Sequence, residues 1–437
     1  MRTREFPVLS AEDEPLVRRL ALSVGDDTAR VLAYLLRRRT DPAVDDGPAD
    51  RLSVRIGTGL NRTAVSDALG RLERRGLVDK TTVETEQGRP PDAWVTGEDI
   101  EATIAHLDEY HAADLLSQSR SVADELGTST PVAEAGPGSS ERSDSSDTSS
   151  TSLTVGLNWF ANVLHAPLFA ARAEGAYARR GVEIAIEEFA GSDRAIEAIH
   201  DGTVDVAVAG AATITRARGE DVPLVPLAPL YQRAMTVLYT THEAFGGPLD
   251  GIESVRGRRI GMPVEAETGL LGRLFLSQSG IVDDVTVVDL SGEESDALAT
   301  GEVDVVSGSI GDVRELEAEG RTVDVLSVDD HFPVYGPTLV TTEAIVTERT
   351  GALTAFLAAT IAGWRTSVFD PEVAVRAVEA ADGRSVETAV ADLEHAIDRF
   401  GSSAAVADHG WGWHETAGWQ RLSTALAQVD LLGDRQG

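Results

Sequence analysis

Apolar positions follow two different periods along this chain. In residues 10–118 they recur every three or four positions, as in Val65, Leu69 and Leu72, the spacing of a helix that buries one stripe. Beyond residue 153, short apolar runs take over. LTVGLN (Leu153–Asn158), VEIAIEEF (Val182–Phe189), VDVAVAG (Val204–Gly210) and RRIGM (Arg258–Met262) predict strands, separated by stretches of helical spacing. That alternation predicts an α/β class, and from Thr354 onward the pattern turns helical. A near-repeat adds to it: GTVDVAVAG at 202–210 and GEVDVVSG at 301–308 each follow a short amphipathic helix (Arg194–His200, Ser295–Thr300). Two similar lobes with a cleft between them are expected.

The two halves are separated by a change of composition. Gly127–Ser152 reads GTSTPVAEAGPGSSERSDSSDTSSTS, and its last fourteen residues contain eight Ser, too little apolar surface for a core. A disordered linker is predicted, with a reach on the order of 25–30 Å. The expected organisation is 1–118 mainly helical, 119–152 linker, and 153–437 two-lobed. A tether of this kind transmits no strain, so the halves communicate only by docking or by a change of oligomer.

Residues 52–76, LSVRIGTGLNRTAVSDALGRLERRG, predict a short helix, the turn Thr58-Gly59-Leu60, and a second helix capped by Asn61. Opposite its buried stripe lie Arg62, Thr63, Ser66, Asp67, Arg71 and Arg74, the layout of a helix that reads a DNA groove. Two strand-like runs within Gly76–Thr96 flank Gln87-Gly88-Arg89-Pro90 and put Arg89 at a wing tip. Over residues 25–97 the pattern resembles the winged helix-turn-helix regulators of the ArsR, MarR and TrmB type. That resemblance implies double-stranded DNA as partner, with these seven side chains as its contacts. The helix Glu98–Ser119, with Ile100, Ile104, Leu107, His111 and Leu115 on one stripe, either forms a homodimer or packs on its own domain.

Charge sharpens the contrast between regions. The 437 residues carry 72 acidic and 38 basic groups, and Lys80 is the only lysine. Such a surface suits a cytoplasm held at high salt. Yet Arg51–Lys80 holds seven basic residues against three acidic ones, and a phosphate contact is the simplest reason for a basic island in an acidic chain. Cysteine is absent, which excludes disulfides, thiolate metal sites and thiol nucleophiles. No run of eighteen apolar residues predicts a membrane span. The opening MRTREFPVLSAED lacks the apolar stretch of a secretory signal, so a cytoplasmic location is expected.

The richest chemistry lies in LNWFANVLHAPLFA (Leu157–Ala170), where a strand ends and a helix opens near Pro167, the usual ligand-facing edge of an open α/β sheet. Trp159 offers a face for a flat ring, and Asn162 and His165 offer polar edges. LNWFANVLHAPLFAARAEGAYARRGVEI resembles the opening of the periplasmic-binding-protein relatives that handle thiamine-pyrimidine precursors, sulfonates and nitrate (SsuA/THI5-like). DGTVDVAV, VRGRRIGMP and VYGPTLVTTEAI extend the resemblance over about residues 153–432. It implies a type II periplasmic-binding-protein-like domain whose cleft is lined by Trp159, Asn162, His165, Gly210, Ala211, Tyr231, Gln232, Glu265 to Thr268, and Tyr335. HGWGWHETAGW (His409–Trp419) fits no standard metal spacing and is read as packing; no metal and no cofactor are expected.

The whole is thus expected to be a mainly α winged helix-turn-helix domain plus an α/β two-lobed domain. Its expected function is a ligand-responsive transcriptional regulator sensing a thiamine-pyrimidine-like effector. The alternative is the solute-binding component of an importer for a thiamine precursor or a sulfonate. Pyrimidine synthase chemistry, which in the resembling enzymes uses a cofactor-bearing Lys, a consumed His and a Cys-rich stretch, finds no such residues in Val206–Gly219.

Overall fold

The structure, a computed structural model, describes residues 8–40, 47–83, 90–127, 151–290, 292–378 and 385–432. The N-terminal region is helical: α1 (Glu14–Val24), α2 (Asp26–Thr40), β1 (Ala49–Asp50), α3 (Arg51–Thr58), α4 (Arg62–Arg74), β2 (Asp79–Thr82), β3 (Asp92–Val95) and α5 (Ile100–Glu125). The three strands form one antiparallel sheet in the order β1-β3-β2. Local chemistry sets the elements: Asn61 accepts the Ala64 N–H at 2.9 Å as the cap of α4. Gly57 lets the Tyr34 ring lie where any Cβ would clash. Tyr34, Trp94, Leu20, Leu32, Leu36, Val65, Leu69 and Leu72 make the core of this unit.

The chain then builds most of lobe 1 with β4 (Thr151–Leu157), α6 (Ala166–Ala173), β5 (Val182–Glu188), α7 (Ser192–His200), β6 (Val206–Ala209), α8 (Ala211–Gly219) and β7 (Leu224–Pro229). It crosses to lobe 2 for β8 (Thr236–Thr241), α9 (His242–Phe245), β9 (Arg259–Met262), α10 (Glu267–Gln278), β10 (Thr286–Asp289), α11 (Glu294–Thr300), β11 (Val305–Ser309), α12 (Ile310–Ala318) and β12 (Val323–Ser327). It returns through β13 (Thr338–Thr342) and ends in α13 (Glu343–Glu348), α14 (Thr350–Phe369), α15 (Pro371–Val378), α16 (Val386–Phe400), α17 (Ala404–His409) and α18 (Thr416–Gln428). The sheet orders are β5-β4-β6-β13-β7 and β10-β9-β11-β8-β12. The two crossings lie side by side, tied by Ala234 N–H to Val334 C=O and Gly336 N–H to Tyr231 C=O.

The sequence echo marks equivalent strands. β6 and β11 are each central, each parallel to one neighbour and antiparallel to the other. The Asp of each echo does the same work: Asp205 accepts the Thr154 N–H and Asp304 the Arg259 N–H, both at 2.8 Å, and so each ties its loop to the neighbouring strand.

Two expectations change here. The linker was placed at 119–152, but α5 runs on to Glu125 and β4 starts at Thr151, with 128–150 outside the described residues. The extra turns exist because Ser119, Val122 and Ala123 are buried. The α5 stripe is not free for a second copy either: Ile104 and Leu107 join the N-terminal core, while Ala112, Leu115 and Leu116 join the core of lobe 1. Of the described helices, α14 alone has the length and hydropathy to cross a membrane. Two thirds of its most apolar stretch is buried within the molecule. The lack of a side chain at Gly363 lets the Pro167 carbonyl lie where a Cβ would be.

Candidate solute site between the lobes

At the end of β4 the chain turns sharply, leaving Trp159 and Phe160 51% and 63% exposed and edge-to-face at 5.7 Å. Asn162 spends its amide on this turn: it accepts the Leu164 N–H and donates to the Phe160 carbonyl, both at 2.9 Å. The polar groups at this strand end that remain are those of Asn158 and Ser192. His165, 3% exposed, lies with Nε2 3.1 Å from Asn158 Oδ1, so that nitrogen carries the hydrogen. Its Nδ1 has no partner, and burial lowers its pKa to about 4, keeping the ring neutral. Asn158 Nδ2 reaches Ser192 Oγ at 3.5 Å, and that oxygen accepts the Gly210 N–H at 3.0 Å. His165, Asn158, Ser192 and Gly210 thus join the ends of β4, α7 and β6 in one network. Sequence reasoning did not select Asn158 or Ser192. Their signal was position: one closes the LNWF strand, the other opens α7.

Lobe 2 contributes the start of α10. Glu267 accepts from Ala212 N–H (3.0 Å), Thr213 N–H (2.7 Å) and Thr213 Oγ1 (2.8 Å) at the first turn of α8 in lobe 1. Burial raises its pKa, and these donors pull the other way. Glu265, with an 80% exposed side chain, pairs with Arg216 of α8 at 3.1 Å, and Arg216 also holds Asp193. A hollow of about 510 Å³ opens at this seam between Asp193, Arg216 and Glu220 on one side and Pro263, Glu265 and Asp289 on the other. The Thr268 carbonyl is taken by Ser307 Oγ.

The remaining residues expected at the cleft lie elsewhere. Tyr231 is fully buried in lobe 1, edge-on to Trp364, and burial pushes its phenol well above its ordinary range. Ala211 is fully buried at the head of α8. Gln232 bridges the Trp413 carbonyl and Ser403 Oγ. Tyr335 accepts the Glu415 N–H and packs on Trp419. Trp411, Trp419 and His414 pack in the interior, as read from the sequence. A larger hollow of about 640 Å³ lies between α5, α6 and α14, where Arg365 pairs with Asp108 and Arg19 with Glu101.

On α4, Arg62, Thr63, Asp67 and Arg74 are exposed and Ser66 is half-buried, while Arg89 lies outside the described residues. The basic island has partners within the chain. Arg71 donates to the Asp408 carbonyl, Arg75 pairs with Asp114, Lys80 with Asp92, and Arg51 lies over the Trp94 ring. Four of its seven basic residues are thus engaged by the fold itself.

Comparison with known proteins points the same way. The family described as NMT1/THI5 like matches residues 162–374. The chain is 23% identical over 290 residues to the riboflavin-binding protein RibY of Chloroflexus aurantiacus, covering 64% of this chain and 81% of that one. It is 22% identical over 308 residues to the formylaminopyrimidine-binding protein of Halalkalibacterium halodurans, with 66% and 91% covered. A shorter match, 27% over 168 residues, covers 37% of this chain and 45% of a 4-amino-5-hydroxymethyl-2-methylpyrimidine phosphate synthase of Schizosaccharomyces pombe. Among solved structures, the aliphatic sulphonate binding protein SsuA of Escherichia coli superposes with a TM-score of 0.54 at 15% identity, covering 65% and 94%. Relatives described as solute-binding proteins overturn the expected transcriptional regulator, and with it double-stranded DNA as partner. The described residues from 151 to 432 adopt the two-lobed α/β fold seen in SsuA.

Proposed function

We propose that this chain is a solute-binding protein that captures a small planar heteroaromatic solute between its lobes and delivers it to an ABC-type importer. The observation that carries the reading is the exposed Trp159–Phe160 pair that follows Asn158 in the chain, where Asn158 belongs to a fixed polar network reaching Gly210, beside Glu267 of lobe 2. Exposed aromatic surface beside ordered polar groups is what a flat ring with donors and acceptors on its rim needs. The relatives' solutes, riboflavin and formylaminopyrimidine, are of this kind. Trp159 supplies the stacking face, and Asn158, Ser192 and His165 the rim contacts. The reading is of a binder, not a catalyst: the chain has no cysteine, and β6 and α8 hold neither Lys nor His. The N-terminal unit, whose chain order is that of a helix-turn-helix with a hairpin, is read as a module fixed to lobe 1 through α5.

Calorimetric titration of the full chain in molar salt with riboflavin and a formylaminopyrimidine tests this. Saturable binding, weakened in both Trp159→Ala and Asn158→Ala, is expected. Binding that both substitutions leave unchanged, or no binding of either compound, overturns it.

A further inference from the structure

The first turn of α8 exposes backbone N–H groups without partners in the helix, a place where an anion binds readily. In this chain the place is taken by a carboxylate from the opposite lobe. Glu267 of α10 receives three hydrogen bonds there, two from the Ala212 and Thr213 N–H groups and one from the Thr213 hydroxyl. The backbone is shaped around it. A Cβ on Gly210 would lie 2.1 Å from Glu267 Cδ, so no larger residue leaves room for the carboxylate. A Cβ on Gly269 would lie 1.9 Å from the Pro263 carbonyl, so glycine permits the tight turn that starts α10. Beside it, Arg216 and Glu265 make a second bond between the same two helices. Ala211, Ala212 and Ile214 share an apolar cluster with Leu270, Leu271 and Leu274.

We propose that Glu267 is an interlobe latch standing in for an anionic ligand: it holds the lobes together without solute and makes the cleft reject solutes that offer a carboxylate, sulfonate or nitrate to α8. A tethered carboxylate acts at an effective concentration on the order of millimolar or more, which a micromolar free anion does not overcome. The cleft therefore selects neutral or cationic rings. The latch stands on the geometry alone; the selectivity rests on the solute-binding reading above.

Because the chain has no cysteine, spin labels can be placed only where cysteines are introduced, at exposed Glu187 in lobe 1 and Glu319 in lobe 2. Pulsed dipolar spectroscopy should show the distance lengthen and its distribution broaden in Glu267→Ala. Glu267→Gln, which keeps the side-chain shape, should show a smaller change, and Glu265→Ala little. Methanesulfonate affinity should rise about tenfold or more in Glu267→Ala as the tethered competitor is removed. Unchanged distances in both Glu267 variants overturn the latch, even where riboflavin binds. Lengthened distances with no gain in methanesulfonate affinity overturn the selectivity. Lengthened distances in a chain that binds no ring solute overturn the solute reading and support the latch.

Discussion

The molecule has two joints, and they differ in what opening each would leave behind. Between the N-terminal unit and lobe 1, Asp108 of α5 grips Arg365 of α14 through bonds of 2.9 and 2.6 Å and accepts Ser23 Oγ at 2.7 Å; its side chain is 1% exposed. His111 Nε2 sits on the Trp411 carbonyl at 2.7 Å, and Gln118 and Ser119 hold the His414 and Leu227 carbonyls. Between the lobes, the charged contacts include Glu267 on a helix end, the Arg216–Glu265 pair, open to solvent on the Glu265 side, and the bonds of α16 to lobe 2 through Asp392 with Arg314 and Arg399 with Asp330. The first joint is held by buried charges and carbonyls that answer one another, and removing one partner of such a buried pair costs about 3–5 kcal/mol. Parting the second returns groups to water, and an exposed pair is worth about 0–1 kcal/mol. The N-terminal unit and lobe 1 therefore form one body, and lobe 2 is the part that moves.

The largest expected effect breaks the first joint. Asp108→Ala leaves Arg365 without its carboxylate and should lower unfolding free energy by about 3–5 kcal/mol in denaturant titration. Acid acts more gradually, at this joint through His111 and His414 and within lobe 1 through His165. Burial lowers the pKa values of His111, His165 and His414 to about 4 from an ordinary 6.5. The unfolded chain takes up these protons first, so stability is full above pH 6.5 and falls toward pH 4. The slope approaches about 1.4 kcal/mol per pH unit for each histidine. Urea unfolding between pH 7 and 5.5 should show it, and His111→Gln should flatten it.

At the seam the effects are smaller and change binding rather than folding. Trp159→Ala should cost about 0.5–1.5 kcal/mol of ring-solute affinity with no shift in melting temperature, because the side chain is half exposed. Glu265→Ala, which removes the solvent-facing pair and leaves Arg216 on Asp193, should change stability by at most about 1 kcal/mol in thermal unfolding.

The sequence displayed the strands and the repeated lobe well, because a buried strand writes itself as a continuous apolar run and the echo Asp recurs with its strand. It did not display the docking of α5. The second half of that helix interrupts its stripe with Ser119, whose hydroxyl bonds the Leu115 carbonyl of its own helix and the Leu227 carbonyl that the fold brings to it. Nor does nearness to a crossing say which way a side chain faces: Tyr231 turns into lobe 1 while Trp159 stays outside. Glu265 and Glu267, two positions apart, read alike as acids, and only the approach of α8 makes one a solvent-facing partner and the other a buried acceptor. The basic island was visible as composition, but Asp114 and the Asp408 carbonyl that meet two of its arginines come from distant segments.

Amide hydrogen exchange on the unmodified chain, with and without riboflavin in molar salt, tests the contrast between the joints most directly. The account predicts slow exchange along α5 from Asp108 to Ala123 that solute leaves unchanged, and solute-dependent exchange at Ala212 and Thr213. Exchange that changes along α5 while the first turn of α8 stays constant would contradict it.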